Sequence, residues 1–168
     1  MSQALISFRR IDHVSWTVAE LEPVIDFYRR VFGVTPLYAL GPLDAADIPR
    51  DAEGRDWTEA HLGIPDARLR LAMLQFPDGF RLELFEYRRP LGGSSAPLPS
   101  NHVGSHHLGI EVDDLEASAA VLLENGCSVM ERIALDEGPT AGSAFRYFRD
   151  PWGHIFELCQ HGSGTRAP

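Results

Sequence analysis

"IDHVSWTVAELEPV" at residues 11–24 and "SHHLGIEVDDLEAS" at residues 105–118 share one pattern: a histidine, an alternating apolar run, then an acidic helix start. Sliding the chain by 94 positions (107 − 13) places His13 on His107, Val18 on Val112, Leu21 on Leu115 and Glu22 on Glu116. A second correspondence lies downstream, where "DGFRLELFEY" at 78–87 falls over "WGHIFELCQH" at 152–161. Here the offset is 74 (157 − 83), so Gly79 meets Gly153 and Glu83 meets Glu157. The first copy therefore carries 20 more residues (94 − 74) between its two landmarks. Such a repeat predicts two copies of one supersecondary unit.

Each copy reads as strand, helix, then three strands. Residues 10–18 alternate, with Val14, Trp16 and Val18 against His13, Ser15 and Thr17, as a half-buried strand does. Leu21, Val24, Ile25, Tyr28, Val31 and Phe32 follow at helical spacing, with Pro23 in the first turn and Gly33 as a C-terminal cap. "LRLAMLQF", a turn at Gly79 and "RLELFEY" read as a hairpin. In the second copy "DDLEASAAVLLENG" supplies the helix, and "SVMERIAL", "SAFRYFRD" and "HIFELCQ" the three strands. The expected fold class is α+β: two tandem βαβββ modules forming a curved mixed sheet, with the helices on its outer face. The first module spans 8–87 with an insertion at about 41–67, where a short helix is expected near "RDWTEAHLG". A Pro/Gly/Ser-rich linker fills 88–104, the second module 105–161, and 162–168 is expected to be a frayed tail.

Composition narrows the function classes. At 168 residues the chain suffices for one well-cored domain, or two small units sharing a core. The net charge of −9 argues against nucleic acid or an anionic membrane as partner and leaves a small-molecule substrate. No apolar run approaches the roughly 20 residues of a membrane span. "MSQALISFRR" lacks the apolar core of a secretory signal, so a cytoplasmic location is expected. Cys127 and Cys159 have no metal-like spacing and are expected to be reduced, structural thiols.

Strand parity places the four repeated polar residues. If Val14, Trp16 and Val18 face the helix, His13 faces the other way, and the same parity turns out His107, Glu83 and Glu157. Taken alone, a strand histidine is ordinary polar surface. Four such residues recurring at matching positions on one predicted face suit a divalent first-row ion: Fe, Mn, Co, Ni or Zn. Four protein donors leave two positions of an octahedral ion open to water or substrate oxygens, and two carboxylates balance its charge. Ser15, Arg81 and Phe85 share the parity of these residues, and Tyr147 in "FRYFRDPWG" is within their strand group, so these four are the candidate substrate contacts. His106 also resembles a ligand, but parity turns it to the helix side.

The doubled module, with His on its first strand and Glu on its last, resembles the vicinal oxygen chelate superfamily, which includes lactoylglutathione lyases, epimerases, extradiol dioxygenases and drug-resistance proteins. "DPWGHIFELCQ" is close to that superfamily's ending DPxGxxxEL, and "IDHVSWTV" to its opening. The resemblance covers about residues 8–161 and implies His13, Glu83, His107 and Glu157 as metal ligands. A full His/Glu/His/Glu set is similar to bacterial lactoylglutathione lyases and to several epimerases. It implies a metal-dependent isomerase, epimerase or lyase acting on a hydroxy-carbonyl compound through an enediolate, with Glu157 or Glu83 as the base. The superfamily also makes a homodimer the expected assembly. Two alternatives remain: an extradiol-type ring-cleaving dioxygenase, and a non-enzymatic protein that sequesters a drug or metabolite. Methylmalonyl-CoA epimerases carry a third-strand glutamate where "LRLAMLQ" offers only Leu71, Ala72 and Met73, which counts against that substrate.

Overall fold

The structure, a computed structural model, describes residue 5 and residues 9–93 and 96–162. The chain divides into two compact units, Met1–Gly93 and Ser94–Pro168. The first contains β1 (Val14–Thr17), α1 (Leu21–Phe32), β2 (Thr35–Asp44), a 3-10 turn (Ala45–Asp47), α2 (Trp57–Leu62), β3 (Arg68–Gln75) and β4 (Arg81–Arg89). The second contains β5 (Leu108–Glu111), α3 (Leu115–Glu124), β6 (Ser128–Val129), β7 (Ile133–Leu135), β8 (Ser143–Arg149) and β9 (Ile155–Gln160). Both are α+β, each with its own mixed sheet. The first sheet runs β1-β4-β3-β2 and the second β5-β9-β8-β6, with β7 also on β8.

Each first strand pairs in parallel with the last strand of its unit, and the remaining pairings are antiparallel. The helix after the first strand supplies the crossover that parallel neighbours require. The pairing repeats under the two sequence offsets. Val14 sits opposite Leu82, and Leu108 (14 + 94) opposite Phe156 (82 + 74).

Helix α1 forms where the apolar spacing predicts it. Leu21, Val24, Phe27 and Tyr28 are buried, and the Tyr28 ring meets Trp16 of β1 edge-on at 6.5 Å between centroids. Gly33 ends the helix in the left-handed conformation (φ 69°), and its N–H caps the Arg29 carbonyl. The helix-facing strand positions are apolar: Leu82 and Leu84 in the first unit, Phe156 and Leu158 in the second. Phe148 and Phe156 stack at 5.1 Å, and truncating such a buried ring costs about 3–5 kcal/mol.

Each helix start is also tied to the final strand of its unit. The Leu21 N–H donates to Glu86 Oε2 at 2.8 Å, and the Leu115 N–H donates to Gln160 Oε1 at 2.9 Å. Gln160 is Glu86 moved by 74 positions. The two acidic residues of the helix starts are matched as well, Glu22 pairing with Arg70 and Glu116 with Arg146.

Three elements differ from the sequence expectation. Strand β1 begins at Val14 rather than near residue 10, because its ladder on β4 begins only at Leu82. Strand β2 runs on to Asp44 and takes in the first residues assigned to the insertion. The remaining insertion is ordered by α2, near the place expected, whose N-cap Asp56 accepts from Glu59 N and Asp66 N. "SVMERIAL" is two strands. Between Val129↔Phe148 and Ile133↔Phe145 it advances four residues against three on β8, so one extra residue bulges out of the ladder. Of the expected frayed tail, residues 163–168 lie outside the described residues. Among the described residues, no helix is long and apolar enough to cross a membrane.

Candidate metal centre

The register of each sheet brings a histidine to a glutamate. His13 lies one residue before β1, and Ser15 of that strand sits opposite Glu83 of β4. His107 lies one residue before β5, and Gly109 sits opposite Glu157 of β9. In both units the imidazole Nε2 is 3.5 Å from Oε2 of the glutamate. The geometry of the first pair is thus repeated in the second.

The surroundings of the two pairs differ. In the first unit, His13 Nδ1 lies 2.9 Å from Asp12 Oδ1. An ionised carboxylate only accepts, so Nδ1 is the donor to Asp12, and Nε2 is the ring nitrogen turned toward Glu83. Asp12 is held in turn by Arg81, at 2.8 Å. The hydrogen bond from His13, reinforced by Arg81 and Arg10, keeps the Asp12 carboxyl below the ordinary carboxylate range. Glu83 has Met73 opposite it on β3, and Phe85 follows it on its own face, stacked on Tyr87 at 6.0 Å.

In the second unit the support falls on the carboxylate. Tyr147 of β8 sits opposite Glu157 on the same face, which brings its phenol to the side of that carboxylate. The Tyr147 ring meets His107 edge-on, 5.2 Å between centroids. Cys159 lies two residues along β9, and burial, followed by the Glu157 charge, pushes its thiol up to about 11. Burial, followed by the same charge, raises the Tyr147 phenol above its ordinary value. Both groups are protonated donors at neutral pH.

A family model for the Glyoxalase/Bleomycin resistance protein/Dioxygenase superfamily matches residues 10–158, spanning both pairs. The chain belongs to that superfamily. Over 158 residues it is 34% identical to a 2-epi-5-epi-valiolone epimerase of an Actinomyces species, covering 92% of this chain and 81% of the relative. It is 29% identical to a lactoylglutathione lyase of Arabidopsis thaliana over 92% of this chain, which spans 45% of that enzyme. Among solved structures, a glyoxalase family protein from Bacillus cereus aligns with a TM-score of 0.71 at 20% identity, over 95% of this chain and 99% of the other. A fosfomycin resistance protein of Listeria monocytogenes, solved with Mn(II) and sulfate, aligns at 0.59 with 15% identity, over 96% and 98%. At those identities the structures establish the superfamily fold.

An imidazole and a carboxylate this close together are donors that suit a divalent ion. Two donor atoms each about 2.1 Å from a shared ion lie roughly 3 Å apart, so a 3.5 Å pair needs little closing to grip one. The Asp12–His13 bond supplies the outer contact that metal-binding imidazoles ordinarily have. Among the described residues, no group of three or more His, Cys, Asp and Glu side chains is placed to hold an ion; what the structure brings together is His13 with Glu83 and His107 with Glu157.

The other sequence candidates fall into two groups. Ser15 and Phe85 lie on the face of Glu83, whereas Arg81 is engaged with Asp12. His106, at the place of Asp12 in the second unit, is exposed. Trp57 donates from Nε1 to the Asp44 carbonyl, fastening α2 to the end of β2. His154 is buried and bonded to Asp150 in the turn before β9, a structural contact. Both cysteines are free thiols. Sequence reading passed over Asp12 and Cys159 as supports of the pairs; offsets of 94 and 74 would have set them against His106 and Phe85.

Proposed function

We propose that the His13–Glu83 and His107–Glu157 pairs are half-sets of ligands for one divalent metal ion per chain, and that the protein is a metal-dependent isomerase or epimerase of a hydroxy-carbonyl small molecule. The observation that carries the reading is the repetition of one His–Glu geometry, at 3.5 Å, in two sheets related by the same sequence offsets. The names of the two relatives, an epimerase and a lactoylglutathione lyase, both fit proton transfer next to a carbonyl. The Mn(II) bound by the Listeria protein supports a divalent ion as the cofactor.

When bound, the ion supplies a Lewis acid that draws electron density from a substrate oxygen and favours the enediolate. The remaining work belongs to the chain's own residues. Asp12 and Arg81 fix the His13 imidazole with Nε2 forward. A glutamate carboxylate, Glu157 or Glu83, accepts the proton from the carbon beside the carbonyl as that C–H bond breaks. The electron pair moves onto the carbonyl oxygen. Return of a proton to the other face of the carbon inverts it; return to the neighbouring carbon, with the hydroxyl proton passing to the former carbonyl oxygen, isomerises it. A positioned base of this kind contributes about 10²–10⁴-fold to the rate. Ser15 and Phe85, on the face of Glu83, offer a hydroxyl and an apolar ring to the substrate.

The test follows the transferred proton. 2-Epi-5-epi-valiolone and a panel of hydroxy-ketones are incubated with the metal-loaded protein in D2O and followed by NMR, beside an oxygen electrode. The reading predicts one deuterium at the carbon next to the carbonyl in a turned-over substrate, without oxygen uptake. Oxygen consumption with a catechol would replace it with ring cleavage. Tight ligand binding with no exchange, unchanged in His13→Ala, would replace it with sequestration.

A further inference from the structure

The two copies differ where the sequence offsets set one residue against another on the strand beside the glutamate. Met73 sits opposite Glu83 and Tyr147 (73 + 74) opposite Glu157. A thioether cannot donate to a carboxylate, whereas a phenol can. We propose that Tyr147 is a positioning residue for the second pair, its O–H fixing the Glu157 carboxylate while its ring edge bounds His107, so that this pair is pre-set.

Three observations support it. Opposed residues on neighbouring strands lie within side-chain reach on one face, so the phenol is delivered to Glu157 by the β8–β9 register. The same ring touches the other member of the pair, with 5.2 Å between the Tyr147 and His107 centroids. One side chain thereby constrains both donors. Finally, Gly109 opposes Glu157 from the other side, where Ser15 stands in the first unit, and a Cβ there would lie 3.9 Å from Glu157 Oε2 and 3.6 Å from Cys159 Sγ. Gly109 itself puts no side chain beside Glu157, which leaves the cross-strand neighbour on β8 to flank the carboxylate. Met73, opposite Glu83, offers its carboxylate no donor of this kind.

The role in metal binding rests on the reading of Glu157 as a ligand, whereas the phenol–carboxylate contact does not. The experiment separates them. Carboxyl ¹³C NMR of the metal-free protein compares wild type, Tyr147→Phe and Met73→Leu; Mn(II) titration calorimetry then follows the same three, with Glu157→Ala and Glu157→Ala/Tyr147→Phe completing a double-mutant cycle. Tyr147→Phe is expected to move the Glu157 resonance and leave that of Glu83 in place. It is expected to weaken Mn(II) binding roughly 10-fold, the size of an outer-contact loss. Met73→Leu is expected to change neither, and the Tyr147→Phe effect to vanish in the Glu157→Ala background. A moved Glu157 resonance in a wild-type protein that takes up no Mn(II) would uphold the contact and defeat the metal reading alone. An unmoved Glu157 resonance, or a Tyr147→Phe effect that persists without Glu157, would overturn the positioning role.

Discussion

In the first unit polar support goes to the imidazole, through the chain His13–Asp12–Arg81, while Glu83 is flanked by Met73 and Phe85. In the second unit the polar neighbours stand beside the carboxylate, Tyr147 opposite Glu157 and Cys159 within reach of its charge, while His106 replaces the aspartate beside His107. The strand pairing that produces each His–Glu pair is the same in both units, so the backbone alone does not distinguish them. Duplication preserved the donors and let their supports diverge.

The largest effect expected from breaking this comparison is on turnover. Glu83→Gln and Glu157→Gln each remove a carboxylate, and whichever serves as base loses about 10²-fold or more in kcat in a steady-state assay. Equal losses of only a few-fold in both would mean that neither takes the proton.

Removing the supports should have smaller and parallel effects. Asp12→Ala and Tyr147→Phe act on different units and different donors, and each is expected to weaken metal binding on the order of 10-fold by calorimetry. The double variant should show the product of the two, since the altered side chains share no partner.

Stability should separate the copies in another way. Glu86→Ala leaves the Leu21 N–H without its acceptor and strips Arg88 Nε, 2.8 Å away, of its ion-pair partner; the fully buried position predicts a cost of about 1–3 kcal/mol in urea unfolding. Gln160→Ala removes the matching neutral contact to Leu115 and should cost about 1 kcal/mol.

The smallest effect concerns the insertion that the second unit lacks. Hydrogen bonds from Thr58, Asp66 N and Glu59 N hold the Asp56 carboxyl at about 2, below its ordinary 3.8. The folded value is depressed, so this contribution is present above about pH 4 and is lost as pH falls toward 2. Amide exchange in Trp57–Leu62 should therefore accelerate across that window before the strands open, and Asp56→Asn should flatten the dependence.

Much of this was legible in the chain. The offsets of 94 and 74 gave the two modules, and period-two alternation set Glu83 apart from Leu82 and Leu84. The supports were harder to read because each depends on a partner distant in sequence. Arg81 and Asp12 are 69 residues apart and meet only once β1 lies against β4. Arg81 alone looked like a substrate contact for that reason. The bulge in "SVMERIAL" was equally hidden, since the apolar pattern continues through it and only the slipped ladder on β8 shows the break.

Elemental analysis of the purified protein beside His13→Ala and His107→Ala tests the central claim most directly. The account predicts about one divalent ion per wild-type chain and loss of most of it from either variant, because each histidine belongs to one half of a single ligand set. Equal metal content in all three proteins would contradict it.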